Sequence, residues 1–200
     1  MQASLFTDQQ TLLFPGDVLR YYPGFLDSME ALRLLDELQT TVPWRQPVMT
    51  IAGRQVVTPR LTAWYGDCGG TEEPAGTRQR PYPWTESLLK IRRRVAEVSG
   101  VEPTSVLLNY YRDGKDSVAW HSDSESWLGD SPVISSVSLG EERPFEFRRK
   151  ADHRSRYRLV LANGSLLVMQ GSLQRDWEHR IPKSSRPMIP RINLTFRKIV

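Results

Sequence analysis

The chain contains three histidines, His121, His153 and His179, and two of them stand where they can do chemistry. His121 and Asp123 flank Ser122, directly after a strand-like stretch ending at Trp120. Residues two apart in an extended chain point to the same face, so one imidazole nitrogen and one carboxylate oxygen reach toward a common point. His179 comes 56 positions beyond Asp123, after a turn at Gly171, where a later strand can bring it alongside. Two imidazoles and a carboxylate on one face of an octahedron leave three positions open. That suits non-haem Fe(II), which must hold a co-substrate and O₂ together. Histidine–x–aspartate with a distant histidine also arises by chance, so the triplet alone does not decide between a metal site and unrelated polar residues.

Two other segments carry polar groups on one strand face. In RINLTFR, a period of two sets Arg191, Asn193, Thr195 and Arg197 on one side and Ile192, Leu194 and Phe196 on the other. Six residues separate the two arginines, about 20 Å at the usual strand rise. Turned inward, they demand anions, because a buried unpaired charge is costly and a guanidinium matches a carboxylate with two parallel hydrogen bonds. A solvent-facing stripe on an edge strand fits the same pattern. In SVLLNYY, Leu107, Asn109 and Tyr111 share a face, offering an amide and a phenol beside the candidate metal ligands. The convergence of three such motifs predicts a polar pocket within a β-barrel.

Those motifs need strands to hold them, and strands dominate from about residue 105. SVLLNYY, PVISSVSLG, PFEFRRK, YRLVLANGSLLVMQ and RINLTFRKI are short runs rich in β-branched and aromatic residues. Asn163-Gly164, lying between two apolar runs, is the strongest hairpin signal in the chain. VMTIAGRQVVTPRLTAWYGD also reads as strands, turned at Ala52-Gly53, and the stretch from Gly66 to Arg80 reads as a loop. Helical signals are few and early. One helix runs from an Asp27-Ser28 cap to about Gln39 with Met29, Leu32, Leu35 and Leu38 as its apolar face. A second runs from about Thr85 to Ser99, closed by Gly100, with Leu88, Ile91, Val95 and Val98 on one side. Many short strands with helices packed outside imply a mainly β, α+β sandwich or barrel.

Composition bounds the rest. Two hundred residues, 39% apolar and 25% charged, describe one ordinary globular domain. A single cysteine, Cys68, excludes an internal disulfide and points to a reducing, cytoplasmic setting. There is no apolar run of membrane-spanning length, and residues 1–17 lack the basic start and apolar stretch of a signal peptide. The net charge of +4 is uneven: residues 141–200 carry 14 basic and 6 acidic side chains. That excess points to an anionic partner or to a solvated face.

NYYRDGKDSVAWHSD, DWEHRIP and PRINLTFRKI together resemble the AlkB family of Fe(II)- and 2-oxoglutarate-dependent nucleic-acid dealkylases. PRLTAWYGD and DSVAWHSDSESWLG resemble in particular the homologues favouring single strands. The likeness covers roughly residues 43–199 and implies a double-stranded β-helix, or jelly roll, over residues 43–200. Residues 1–42 are then an N-terminal extension with one helix packed on the core, and substrate-recognition loops occupy about 48–80. It implies Fe(II) held by His121, Asp123 and His179, with 2-oxoglutarate and O₂ as co-substrates. Arg191 would pair with the distal carboxylate beside Tyr111, while Arg197 and Asn109 hold the end nearer the metal; Asn193 belongs to the same motif. The implied reaction is hydroxylation of an N-methyl group on a base such as 1-methyladenine or 3-methylcytosine, with loss of formaldehyde. The same chemistry on an RNA modification or a protein is the alternative.

An alkylated base must leave its stack to reach the metal, at least cost from a single strand. The resemblance implies that His121, beside the metal, stacks on one face of that base. CGGTEEPAGTRQR lacks the aromatics that relatives carry there, so Tyr65, Trp64 or Tyr82 is left for the other face, and each is equally a core aromatic. Arg60 and Glu125 are further candidate substrate contacts, and Arg54, Arg60, Arg78 and Arg80 are candidates for phosphate. Ala52, at the hairpin turn, is too small to fill a flipped base's place, so single-stranded nucleic acid is the expected partner. The protein is expected to act as a monomer, without membrane attachment.

Overall fold

The computed structural model describes residues 18–51, 53–67 and 80–200. In chain order these form β1 (Leu19–Tyr22), α1 (Ser28–Thr41), β2 (Val48–Ile51), β3 (Arg54–Val57), β4 (Leu61–Gly66) and α2 (Glu86–Ser99). There follow β5 (Ser105–Tyr111), β6 (Val118–His121), a 3₁₀ turn (Ser126–Leu128), β7 (Ile134–Gly140), β8 (Arg143–Arg149) and β9 (Arg156–Leu161). The chain closes with β10 (Ser165–Met169), a short α3 (Leu173–Asp176), β11 (Trp177–Ile181) and β12 (Arg191–Arg197). Among the described residues no helix is long and apolar enough to cross a membrane.

Two antiparallel sheets face each other as a jelly roll. The larger has the order β1-β10-β7-β12-β5-β4, the smaller β6-β11-β8-β9, and β2-β3 stands apart as a hairpin. Strand alternation makes two cores. Ile192, Leu194 and Phe196 of β12 meet Val106 and Leu108 of β5 under α1 and α2, while Leu167, Met169 and Ile134 meet Phe145, Phe147 and Leu161 between the sheets. Removing each such side chain from water contributes about 1.5–3 kcal/mol. Arg191, Asn193, Thr195 and Arg197 lie on the strand face opposite to Ile192, Leu194 and Phe196, and all four are buried. The edge-stripe alternative for this strand therefore does not hold.

The helices follow their capping chemistry. Asp27 accepts from the Glu30 amide at 2.8 Å to start α1, and Thr85 accepts from Leu88 at 3.2 Å to start α2. Gly100 ends α2 at φ 77°, where a glycine carries no steric penalty. The face expected of α1 is rotated: Ala31, Leu34, Leu35 and Leu38 are buried, while Met29 and Leu32 are 61% and 52% exposed.

Two other expectations change. Asn163-Gly164 does not close a hairpin, because β9 pairs with β8 whereas β10 pairs with β7 and β1. The turn carries the chain from one sheet to the other. Gly164, at φ 75°, donates to the Ser138 carbonyl and accepts from Leu26, and Asn163 accepts from the Gly140 amide. A side chain at Gly164 would meet the Leu26 carbonyl at 2.6 Å. In addition, β1 is an edge strand of the large sheet, so part of the segment expected as an extension belongs to the barrel itself.

Candidate functional site

The metal-type cluster forms where the two shortest strands of the small sheet meet. In the β6–β11 pairing His179 stands opposite His121, and the register then slips before Ile181 meets Val118. Trp120, next to the inward His121, takes the outer face, where its ring centroid lies 4.4 Å from the Arg148 guanidinium and 4.5 Å from that of Arg180. His121 and Asp123 leave the strand end together. One ligand atom from each of His121, Asp123 and His179 lies within 4.8 Å of the others.

Protonation is set for metal binding. Burial would raise the Asp123 pKa, but Arg197, His179 and His121 outweigh it and hold the carboxyl at about 2. Burial, reinforced by His121, lowers His179 to about 3, so its ring is neutral at physiological pH. The 3.8 Å approach of its Nε2 to Asp123 Oδ2 is thus a contact of a neutral ring with a carboxylate, not an ion pair. Nδ1 of His121 lies 2.8 Å from the Ala119 carbonyl. A carbonyl only accepts, so Nδ1 carries a proton and Nε2 is the nitrogen left for a metal. One ionised carboxylate and two imidazoles, that of His179 neutral, fit a divalent Fe site.

The inner face of the large sheet supplies the cations. Arg197 donates to Asp123 Oδ1 at 2.6 Å and keeps Nε and Nη1 without partners. Arg191, only 1% exposed, donates to Ser138 at 3.0 Å and likewise keeps Nε and Nη1 unpaired. Burial lowers its pKa to about 10, which still leaves it charged. A buried cation with unused donors requires an anion. Tyr111 lies against it, with the Arg191 guanidinium 5.1 Å from the ring centroid.

Asn109 accepts from Arg60 Nε at 2.8 Å. Its amide oxygen is thereby held toward Arg60 and its NH₂ is turned away. Asn193, expected beside the co-substrate, is instead committed to the sheet: its NH₂ donates to Ser136 Oγ and the Val137 carbonyl, and its oxygen accepts from Thr195. Glu125 sits beside the cluster with a buried, unpartnered Oε2, and burial followed by the nearby Asp123 raises its pKa.

Tyr65 departs from expectation most clearly. It belongs to the helix-side core and packs on Tyr82 at 5.5 Å, on the face of β4 away from the cluster. Its neighbour Trp64 faces the other way. Arg54 and Arg80 are exposed, as is His153, which is remote from the cluster in sequence and joins no ligand group. Ala52, Cys68 and Arg78 lie outside the described residues.

Two site residues escaped the sequence argument. Gln174, on α3, is 2% exposed and accepts from the Asp123 amide at 3.0 Å, fixing the carboxylate's backbone. No local pattern signals it, since the contact spans 51 residues. Arg143 is 1% exposed and donates to the carbonyls of Asp113, Asp116 and Pro182, with Tyr111 against its guanidinium. Its signal was available: the period-two pattern of RPFEFRR puts Arg143 on the face of Phe145 and Phe147.

Residues 18–197 match the profile of the 2OG-Fe(II) oxygenase superfamily. The chain is 41% identical over 186 residues to alpha-ketoglutarate-dependent dioxygenase alkB homolog 3 of Mus musculus, covering 89% of this chain and 65% of that protein. It is 35% identical over 211 residues to the DNA oxidative demethylase ALKBH2 of Arabidopsis thaliana, covering 92% of this chain and 67% of the relative. The chain thus spans just under two thirds of the length of its alkB homolog 3 relative. Its fold is similar to a solved structure described as that of OsALKBH1, with a TM-score of 0.66 at 18% identity over 90% of this chain and 97% of the other.

Proposed function

The chain belongs to the 2OG-Fe(II) oxygenase superfamily, and from that premise we propose that it is an oxidative demethylase of N-alkylated bases in nucleic acid, preferring single strands. The observation that carries this is the pair of buried arginines on β12, each with two unpaired nitrogens, one of them bonded to a carboxylate of the His121–Asp123–His179 cluster. Those three residues hold Fe(II), and the arginines take the two ends of 2-oxoglutarate. When bound, Fe(II) with 2-oxoglutarate and O₂ supplies the oxidation that hydroxylates a methyl group, giving succinate and CO₂ from the co-substrate and formaldehyde from the methyl carbon.

The protein's own groups do the positioning. Arg191 binds the distal carboxylate in a dry pocket beside Tyr111, where a bidentate pair is strong. Asn109 and Arg197 orient the end nearer the metal. By engaging Asp123 Oδ1, Arg197 also leaves Oδ2 as the oxygen directed to the metal site. Glu125, whose Oε2 is unpartnered, is a hydrogen-bonding group for the base.

The nucleic-acid target is supported by the printed names of the relatives, one an alkB homolog and one a DNA oxidative demethylase. Arg54 and Arg80, both exposed, are the phosphate contacts of this reading. The preference for single strands rests on the sequence alone, on the small Ala52 between the segments of β2 and β3. The reading also takes the protein as a monomer, and as cytoplasmic in keeping with its single cysteine. The test is formaldehyde release from single- and double-stranded oligonucleotides, DNA and RNA, carrying 1-methyladenine or 3-methylcytosine. Release from single strands is expected to be faster. Succinate formation that never responds to a methylated oligonucleotide would favour a protein substrate, and a clear duplex preference would reject the single-strand reading.

A further inference from the structure

Trp64 has a feature that the reaction as described leaves unused. It is 3% exposed, yet its indole Nε1 is buried with no hydrogen-bond partner. An unmet buried donor costs about 1–3 kcal/mol, so its persistence in an otherwise satisfied strand calls for an acceptor from elsewhere. Its neighbours on β4, Ala63 and Tyr65, both pack in the helix-side core. Alternation sends Trp64 to the opposite face, the inner one, and it belongs to neither hydrophobic core.

The sheet register locates it further. Trp64 pairs with Leu107, which pairs with Thr195, so Trp64 lies two strands from β12, about 10 Å across the sheet. One step along, Gly66 pairs with Ser105 and Ser105 with Arg197, the arginine that holds Asp123. Toward the other end, Thr62 pairs with Asn109. The indole therefore stands at the β4 edge of the chamber, level with the metal end rather than the distal-carboxylate end. The co-substrate's carboxylates are already matched by Arg191, Arg197 and Asn109, so the free donor falls to the base.

Resting on the demethylase reading, we propose that the Trp64 indole N–H is a specificity determinant that donates to the C2 carbonyl of 3-methylcytosine. In that base the methylated N3 is flanked by the C2 carbonyl on one side and the amino group on the other. In 1-methyladenine the methylated N1 is flanked by a C–H and an amino group. Both lesions carry the amino group, which the Glu125 carboxyl can accept, but only the pyrimidine offers an acceptor beside the methyl group. A donor at this place favours the cytosine lesion, because a polar group met by C–H stays unpaired.

The experiment compares the wild-type protein with Trp64→Phe, which deletes the N–H and keeps an aromatic ring. Binding of single-stranded oligonucleotides is measured by fluorescence anisotropy with 2-oxoglutarate omitted, and kcat/KM for formaldehyde release is measured with it present. Trp64→Phe should lower affinity and kcat/KM for the 3-methylcytosine strand about tenfold and change those for 1-methyladenine less than twofold. Equal losses on both lesions would assign Trp64 a packing role and overturn the proposal, as would no loss on either. A second arm needs no variant: in the wild-type protein, 3-methyl-2-thiocytosine, with its weaker sulfur acceptor, should bind several-fold less tightly than 3-methylcytosine. Equal binding would overturn the proposal. Failure of the demethylase reading itself looks different, since the unsubstituted protein would then release formaldehyde from neither lesion.

Discussion

Arg60 donates from Nε to the side-chain oxygen of Asn109 at 2.8 Å, and this bond decides which way the amide faces. Arg60 enters the sequence argument as a contact for substrate, yet in the fold it orients a residue of the co-substrate pocket. Arg60→Ala frees the amide to rotate and should weaken 2-oxoglutarate binding about three- to tenfold, the worth of one ordinary hydrogen bond. Calorimetric titration of 2-oxoglutarate measures this. Arg60→Lys, which retains a donor, should recover part of the loss, and unchanged affinity in Arg60→Ala would contradict the role.

Asp123 is both a metal ligand and the counter-charge of Arg197. Asp123→Ala should abolish metal binding and turnover. It also strands a buried guanidinium, so the fold itself should lose about 3–5 kcal/mol, the usual result of breaking a buried pair. Thermal unfolding and a Co(II) titration followed by absorbance separate the two effects. Retained turnover would refute the metal assignment.

Gln174 holds the Asp123 amide from α3 and is not itself one of the cluster's ligands. Gln174→Ala should loosen the carboxylate and raise the metal dissociation constant at least tenfold, as is usual for groups that orient ligands. KM for a methylated oligonucleotide at saturating metal should stay near its original value. A metal titration and steady-state kinetics report on the two quantities independently.

Acid should destabilise the metal-free protein in two stages. His179 has its pKa lowered by burial from 6.5 to about 3, so the unfolded chain binds a proton that the folded one refuses. Stability is therefore full above about pH 6.5 and falls as the pH drops toward 3. Asp123, lowered from 3.8 to about 2, adds a second loss as the pH falls below its unfolded value. Melting temperatures in chelator should decline as the pH falls from about 6.5 to 5, and His179→Gln should flatten that decline. An equally steep slope in the variant would point to other groups.

Arg54 and Arg80 are exposed cations of the segments expected to meet substrate. The Arg54→Ala, Arg80→Ala double variant should reduce the salt dependence of oligonucleotide binding by about one to two counterions. Its loss of affinity should be similar for methylated and unmodified strands, since phosphate contacts carry no base information. A slope of log Kd against log salt identical to the wild type would exclude both residues.

The sequence by itself determined which residues share a face. Period two put Arg191 and Arg197 on one side of β12 and Ile192, Leu194 and Phe196 on the other, and it aligned His121 with Asp123. That much is legible because alternation is a local property of any extended chain. The caps Asp27 and Gly100 were legible for the same reason, since each acts within one helical turn, whereas Thr85, read as the start of its helix, proves to be the cap.

Only the tertiary structure decided what each face meets. Asn163-Gly164 has hairpin chemistry, yet strand pairing across the two sheets makes it a crossover. Asn193 has the right side chain on the right face, but Ser136, Val137 and Thr195 consume its hydrogen bonds. Tyr65 and Trp64 are adjacent and equally aromatic, and the packing of α1 and α2 on one side of β4 sends the first into a core and the second toward the chamber. His179 finds His121 only through the β6–β11 register, and Gln174 finds Asp123 across 51 residues. Local spacing fixes directions, whereas partners come from long-range pairing, whose loop-closure cost and burial gain are settled by the whole chain at once.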